Sequence, residues 1–247
     1  MDDMIYVAMS GARQTEVAQA INSNNLANVS TSGFRADLHA FSNVPIEGPG
    51  VDSRINAVLD RYGTDMTPGP IRSTGRDLDI AIQGEGFIAV QAPDGSEAYT
   101  RAGDLRVEAG GLLVTGAGHL VMGDGGPVAI PPNVSLEIGA DGTVTVQPVG
   151  QQANTLSVVD RIKLVNPPAD ELVKGEDGLL RLQTEGDVAP ADASVTVASG
   201  SLEGSNVNVA KTLVNMIELA RQYEMQVNVI KTSEDNADAA AQMMRVG

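Results

Sequence analysis

Few side chains in this sequence could do chemistry, and they do not converge. His39 and His119 are its only histidines. Neither has a second His, or a Cys, at the spacing a tetrahedral metal site requires, so both read as surface or turn residues. There is no cysteine, which excludes disulfides, thiolate nucleophiles and Cys-ligated zinc. No G-x-S-x-G elbow, H-E-x-x-H helix or Walker loop occurs. Gly84-Glu85-Gly86-Phe87-Ile88-Ala89 fits the G-x-G-x-x-A spacing of a dinucleotide-binding turn, and Asp104 falls near the offset of a ribose-binding acid. A pyrophosphate, however, needs a helix N-terminus after the glycines. The residues after Gly86 run Phe-Ile-Ala-Val-Gln-Ala-Pro-Asp-Gly, a strand ending in a turn, so a tight β turn is expected. The 32 Asp and Glu residues do not by number dismiss a glycosidase-like carboxylate pair. Yet three Phe, four Tyr and no Trp offer no evident platform for a sugar ring. No catalytic residue, cofactor or metal site is expected, and the chain reads as a non-enzyme.

The elements around these residues follow from composition. A chain of 247 residues with 42% hydrophobic and only 3% aromatic residues must build its core from Val, Ile, Leu and Ala. A formal charge of −16 repels phosphate backbones and anionic lipid, which excludes nucleic acid as a main partner. No apolar run approaches the roughly 20 residues of a membrane span. Met1-Asp2-Asp3-Met4 lacks the basic start and apolar stretch of a cleaved signal peptide.

Both ends read as helix. Residues 4–28 hold no Pro and one Gly, with Ile5, Ala8, Met9 and Ala12 on one face; Ser30 to Gly33 supply a stop. Residues 207–244 lack Gly and Pro, and Leu213, Met216, Ile217, Ala220, Tyr223, Val227 and Ile230 recur at steps of three and four. A helix of that length, about 57 Å, with one narrow apolar stripe is not stable alone in water. The two helices pair in a coiled-coil-like domain, or each covers a face of the central sheet. Residues 76–200 carry short strand patterns broken by turns every 8–12 residues, as in Pro93-Asp94-Gly95 and Asp141-Gly142. The expected fold is α+β: a mainly β, antiparallel central domain, sandwich or barrel-like, with long N- and C-terminal helices. The expected divisions are 1–35, an N-terminal helix; 36–75, an extended connection rich in Pro and Gly; 76–200, the β-rich domain; and 201–247, the C-terminal helix.

Three motifs carry a sharper signal. Ser23-Asn24-Asn25-Leu26-Ala27-Asn28-Val29-Ser30-Thr31-Ser32-Gly33-Phe34-Arg35 resembles the N-terminal signature of the flagellar rod, hook and hook-associated protein family, N-N-L-A-N-x-x-T-x-G-[FY]-[KR]. Gly200-Ser201-Leu202-Glu203-Gly204-Ser205-Asn206-Val207-Asn208 is similar to the stretch that leads into that family's C-terminal helix. The run from Gly84-Glu85-Gly86-Phe87 through Tyr99-Thr100-Arg101-Ala102-Gly103 to Leu112-Leu113-Val114-Thr115 resembles its middle block, with Ile88 where the family has a second Phe. Met4 to Ala12 looks like the proximal-rod subfamily; the distal-rod subfamily is the alternative.

The resemblance implies a structural subunit whose terminal helices pack against those of neighbours in a tubular, torque-transmitting rod. It implies export through the flagellar type III apparatus without a cleaved signal, and residence in the periplasmic part of the basal body. Its partners would be copies of itself, other proximal and distal rod subunits and the export apparatus, with no small-molecule substrate. The residues it singles out for subunit interaction are Asn24, Asn25, Leu26, Ala27, Asn28, Thr31, Gly33, Phe34, Leu202, Glu203, Ser205, Asn206, Val207, Met216, Ile217 and Tyr223. Among them, the Asn amides can satisfy backbone at a helix end, Gly33 can take a left-handed cap conformation, and Phe34 can anchor the exiting chain. A secreted β-rich carbohydrate-binding module or enzyme is the reading from another class; it has no use for a long helix at each end.

Overall fold

The structure, a computed structural model, describes residues 2–45, 55–148, 156–184 and 186–246. The chain divides into two compact units. The first comprises residues 1–27, 37–65 and 207–247, and the second residues 28–36 and 66–206.

In the first unit, helix α1 spans Asp2–Ala27 and helix α2 spans Val209–Val246. Asn208 caps α2: its Oδ1 accepts the Lys211 N–H at 3.1 Å, which satisfies one of the free donors of the first turn. The two helices lie against each other. Where the sequence suggests an extended connection, strands Asp37–Pro45 and Ile55–Thr64 pair antiparallel, with a bulge between Ala40 and Phe41. The Gly48-Pro49-Gly50 cluster falls between these strands, outside the described residues. Backbone pairing requires only that the N–H and C=O groups meet, so a hairpin can form without a clear side-chain alternation.

The second unit is β-rich and antiparallel throughout its named pairings. Its largest sheet runs, in spatial order, Leu172–Lys174, Leu180–Leu182, Glu97–Thr100, Phe87–Gln91, Leu120–Gly123, Leu113–Thr115 and Leu105–Val107. Asn133–Ile138, Thr143–Pro148 and Ser157–Arg161 form a second sheet. Two further pairs join Ile80–Gln83 to Thr196–Ser199, and Ile71–Ser73 to Ser201–Glu203. The fold is therefore α+β, with antiparallel sheets in the middle of the chain and a helix at each end. The main core draws on both sheets and contains Ile80, Ile88, Leu105, Leu113, Val121 and Val144, fully buried aliphatics as the composition requires. A second cluster gathers Phe87, Tyr99, Val165 and Leu180. The G-x-G segment is a turn: Gly84 and Gly86 have φ of 86° and 122°, and a strand rather than a helix follows them.

Candidate functional site

The three sequence motifs, far apart in the chain, meet inside the β-rich unit. Their meeting point is a buried ionic junction. Glu203 ends the strand Ser201–Glu203, and its carboxylate receives Arg101 Nη1 at 2.9 Å on Oε2. Arg35 Nη1 lies 2.6 Å from Oε1, off the hydrogen-bonding direction, so this contact is ionic rather than an aligned hydrogen bond. The Gly69 N–H donates to the same Oε1 at 2.8 Å. Arg35, Arg101 and Glu203 are 3%, 5% and 1% exposed, so water screens none of these charges. Arg101 also donates through Nη2 to the Gly84 carbonyl at 2.8 Å and stacks on the Phe87 ring, 5.2 Å from its centroid. Burial holds the Arg101 guanidinium below its ordinary pKa; Glu203 opposes that shift and Arg35 adds to it.

Segment 28–36 is fastened to this junction by its backbone. Gly33 N–H donates to the Glu203 carbonyl at 2.9 Å, and Asn206 N–H to the Phe34 carbonyl at 3.3 Å. Asn206 Oδ1 accepts the Ala36 N–H at 2.8 Å, while its Nδ2 reaches the Thr67 carbonyl at 3.1 Å. Lys174 Nζ donates to the Arg35 carbonyl at 2.8 Å and sits 3.9 Å above the Phe34 ring. Gly33 has φ of 66°. It lies six residues past the end of α1, so it is not that helix's cap. A Cβ there would fall 2.2 Å from the Arg101 carbonyl carbon, so the left-handed turn and the close approach both require glycine. Ser205 is buried beside Glu203 in sequence, and Leu202 is half-buried opposite Arg72. Thr31 closes a local turn with Asn28 through Thr31 Oγ1 to Asn28 Oδ1 at 3.1 Å. Arg35 and Arg101 stood inside the motifs, but no sequence signal marked them as partners of one carboxylate.

In the helical unit the predicted residues divide. Asn25 makes a two-way clasp on the Asp37 backbone: Nδ2 donates to its carbonyl and Oδ1 accepts its N–H, both at 2.8 Å. This satisfies backbone at the start of the hairpin rather than at the helix end. Asn22, absent from the sequence prediction, is buried and donates to the Thr212 carbonyl on α2 at 2.8 Å. The face of α1 turned to α2 carries Gly11, Thr15, Ala18 and Asn22, at steps of four, three and four. On α2 the buried or half-buried positions Thr212, Leu219, Gln226 and Ser233 repeat every seven residues. Thr15 Oγ1 meets Gln226 Oε1 at 3.2 Å. Apart from Ala18 and Leu219 the named seam positions are small or polar, and most of the apolar stripe read from the sequence points elsewhere. Leu213, Ile217, Tyr223 and Val227 are exposed, Ile217 by 56%, with Val214 and Met225 beside them; Met216 is half-buried. Asn24 and Ala27 are exposed, while Leu26, Asn28 and Val207 are half-buried. Among the described residues, no group of three or more His, Cys, Asp or Glu is placed to hold a metal. No described helix is long and apolar enough to cross a membrane.

Comparison with known proteins gives this arrangement a family. Residues 5–35 match the family model described as flagella basal body rod protein, residues 81–146 the flagellar hook protein FlgE/F/G D1 domain, and residues 198–243 the flagellar basal body rod FlgEFG protein C-terminal region. The chain is 45% identical over 249 residues to the flagellar basal-body rod protein FlgF of Escherichia coli, with 99% of each chain covered. It is 43% identical to the protein of that name from Salmonella typhimurium, again with 99% of each covered. To the flagellar basal-body rod protein FlgG of Buchnera aphidicola it is 33% identical, with 97% of this chain and 98% of that protein covered. The motifs that meet at Glu203 thus lie within or beside the matched stretches, and the chain belongs to the flagellar basal-body rod protein family, with its full-length likeness to the FlgF members.

Proposed function

We propose that this protein is a structural, non-enzymatic subunit of the flagellar basal-body rod, in its proximal part. It assembles through the outward apolar face of α2 with copies of itself and with other rod subunits. The observation that carries this reading is the division of the helix pair: the seam is built from small and polar side chains with Ala18 and Leu219 among them, whereas Leu213, Val214, Ile217 and Met225, which fall on one side of α2, are left exposed. Apolar side chains clustered on one solvent face mark an association surface. Repetition of such a contact around an axis yields an open helical tube. The heptad spacing of Thr212, Leu219, Gln226 and Ser233 supports a coiled-coil-like seam. A core shared by both β sheets supports a barrel-like or sandwich packing of the second unit. The route we assign is the flagellar type III apparatus, to the periplasmic part of the basal body; the family likeness supports it.

The test pairs Leu213→Asp with Ile217→Asp in one chain. The monomer keeps its circular dichroism spectrum, while recovery of the protein in isolated basal bodies falls at least tenfold and motility is lost. Incorporation at the wild-type level would overturn the role of this face.

A further inference from the structure

We infer that Glu203 is a keystone: its carboxylate locks segment 28–36 onto the β-rich unit, so that the unit closes only when both of its distant chain segments are in place. Segment 28–36 forms no helix or strand of its own. Of its backbone bonds to the rest of the unit, those of Gly33, Phe34 and Ala36 go to Glu203 or Asn206, and that of Arg35 goes to Lys174. Residues 203–206 are in turn seated by the pairing of Ser201–Glu203 with Ile71–Ser73, by Gly204 N–H on the Pro70 carbonyl at 2.9 Å, and by Gly69 on the Glu203 carboxylate. The order of dependence is therefore fixed: Glu203 can be seated without segment 28–36, but that segment has little to dock on without residues 203–206.

Charge sharpens the dependence. Arg35 and Arg101 bring two guanidinium groups into a dry interior around one carboxylate, and Arg35 already weakens the protonation of Arg101. With Glu203 neutral or displaced, two like charges face each other without solvent, which costs far more than a lost surface ion pair. Arg35 must then leave, and segment 28–36 leaves with it. Arg101 retains the Gly84 carbonyl and the Phe87 ring, so the rest of the unit keeps its hold on that side chain. Arg101 and Glu203 are 102 residues apart in sequence, so closing this contact carries the entropy cost of a long loop. The lock is internal to one chain and does not depend on assembly.

The experiment is hydrogen exchange with limited trypsin digestion on the full-length monomer and its Glu203→Gln variant. In the wild type, the Gly33 and Ala36 amides are protected and trypsin does not cut after Arg35. In E203Q these two amides exchange about a hundredfold faster or more, and cleavage after Arg35 appears. The amides of Phe87–Gln91 and Leu113–Thr115 keep wild-type protection. Removing the second cation as well, in Arg35→Gln with Glu203→Gln, returns part of the Gly33 protection. Unchanged exchange at Gly33 and Ala36 in E203Q overturns the keystone. So does acceleration spread evenly over the core strands, which would make Glu203 a general stabiliser. If E203Q does not fold, Arg35→Lys is measured instead. It keeps the charge but puts a different cation at the carboxylate, so Arg35→Gln, which removes the charge, is measured beside it, and wild-type exchange at Gly33 and Ala36 in Arg35→Gln overturns the lock.

Discussion

At the scale of single residues, two positions carry the sharpest consequences. Gly33 combines a left-handed backbone with direct contact to the Arg101–Ala102 peptide. Gly33→Val therefore adds backbone strain of about 1–2 kcal/mol to a clash that neither wall can relieve by rotating a side chain. A drop in Tm of several degrees in the isolated monomer is expected, with loss of incorporation into basal bodies; a Tm equal to wild type would refute the close approach. Tyr99 is the other. Its buried hydroxyl accepts the Ala189 N–H at 2.7 Å, and burial pushes its pKa up to about 12. An acid whose folded pKa lies above its unfolded value of 10 holds its proton longer when folded. Its contribution is thus complete below pH 10 and is lost as the pH rises from 10 to 12. Tyr99→Phe removes this alkaline step and costs about 1–3 kcal/mol at neutral pH, because the Ala189 N–H is left buried without a partner. Urea unfolding of both proteins across pH 7 to 12 measures both effects.

At the scale of elements, the strands and helices were legible where local chemistry dictates them. The absence of Pro and Gly over residues 207–244 marks α2, and Asn208 stands where a cap belongs. Gly84 and Gly86 read as a turn because a strand sequence follows them. The hairpin of Asp37–Pro45 and Ile55–Thr64 was not legible, since its side chains carry little alternation and its pairing is made by backbone. The apolar stripe of α2 turns outward for a physical reason. Periodicity finds the most apolar stripe, but the stripe turned inward here sets Thr15, Asn22, Thr212 and Ser233 beside Ala18 and Leu219, and its polar groups satisfy one another or nearby carbonyls. The β-rich unit offers its own test. Asp104 faces Asp79 across an isolated bridge, and burial first, then the Asp79 charge, raises the Asp104 carboxyl above the usual range. A raised acid makes the folded state bind more protons than the unfolded one, so stability falls as pH rises from the ordinary Asp value through the folded pKa. Asp104→Asn should therefore raise the Tm at pH 7, with the gain shrinking toward pH 4. A gain that grows on acidification would contradict the assignment.

At the scale of the whole molecule, net charge and exposed apolar surface oppose each other. A chain with a formal charge of −16 repels its own copies, while the outer face of α2 attracts them. Screening should shift that balance: raising salt from 20 to about 300 mM shortens the Debye length severalfold, so self-association followed by light scattering should increase. The Leu213→Asp, Ile217→Asp chain should lose that response, and association that weakens with salt would point to charge pairing instead. The sequence by itself determined the family, the helical ends, the β-rich middle and the absence of metal-ligand or nucleophile patterns. These depend on residue types at short spacings, which local sterics and turn chemistry read directly. Only the tertiary structure decided which face of α2 turns inward, that Asn25 holds Asp37 rather than a helix end, and that Arg35, Arg101 and Glu203 share one buried site. Those outcomes depend on contacts between residues far apart in the chain, where complementary charge and the space left by Gly33 select the partner and no local pattern records it.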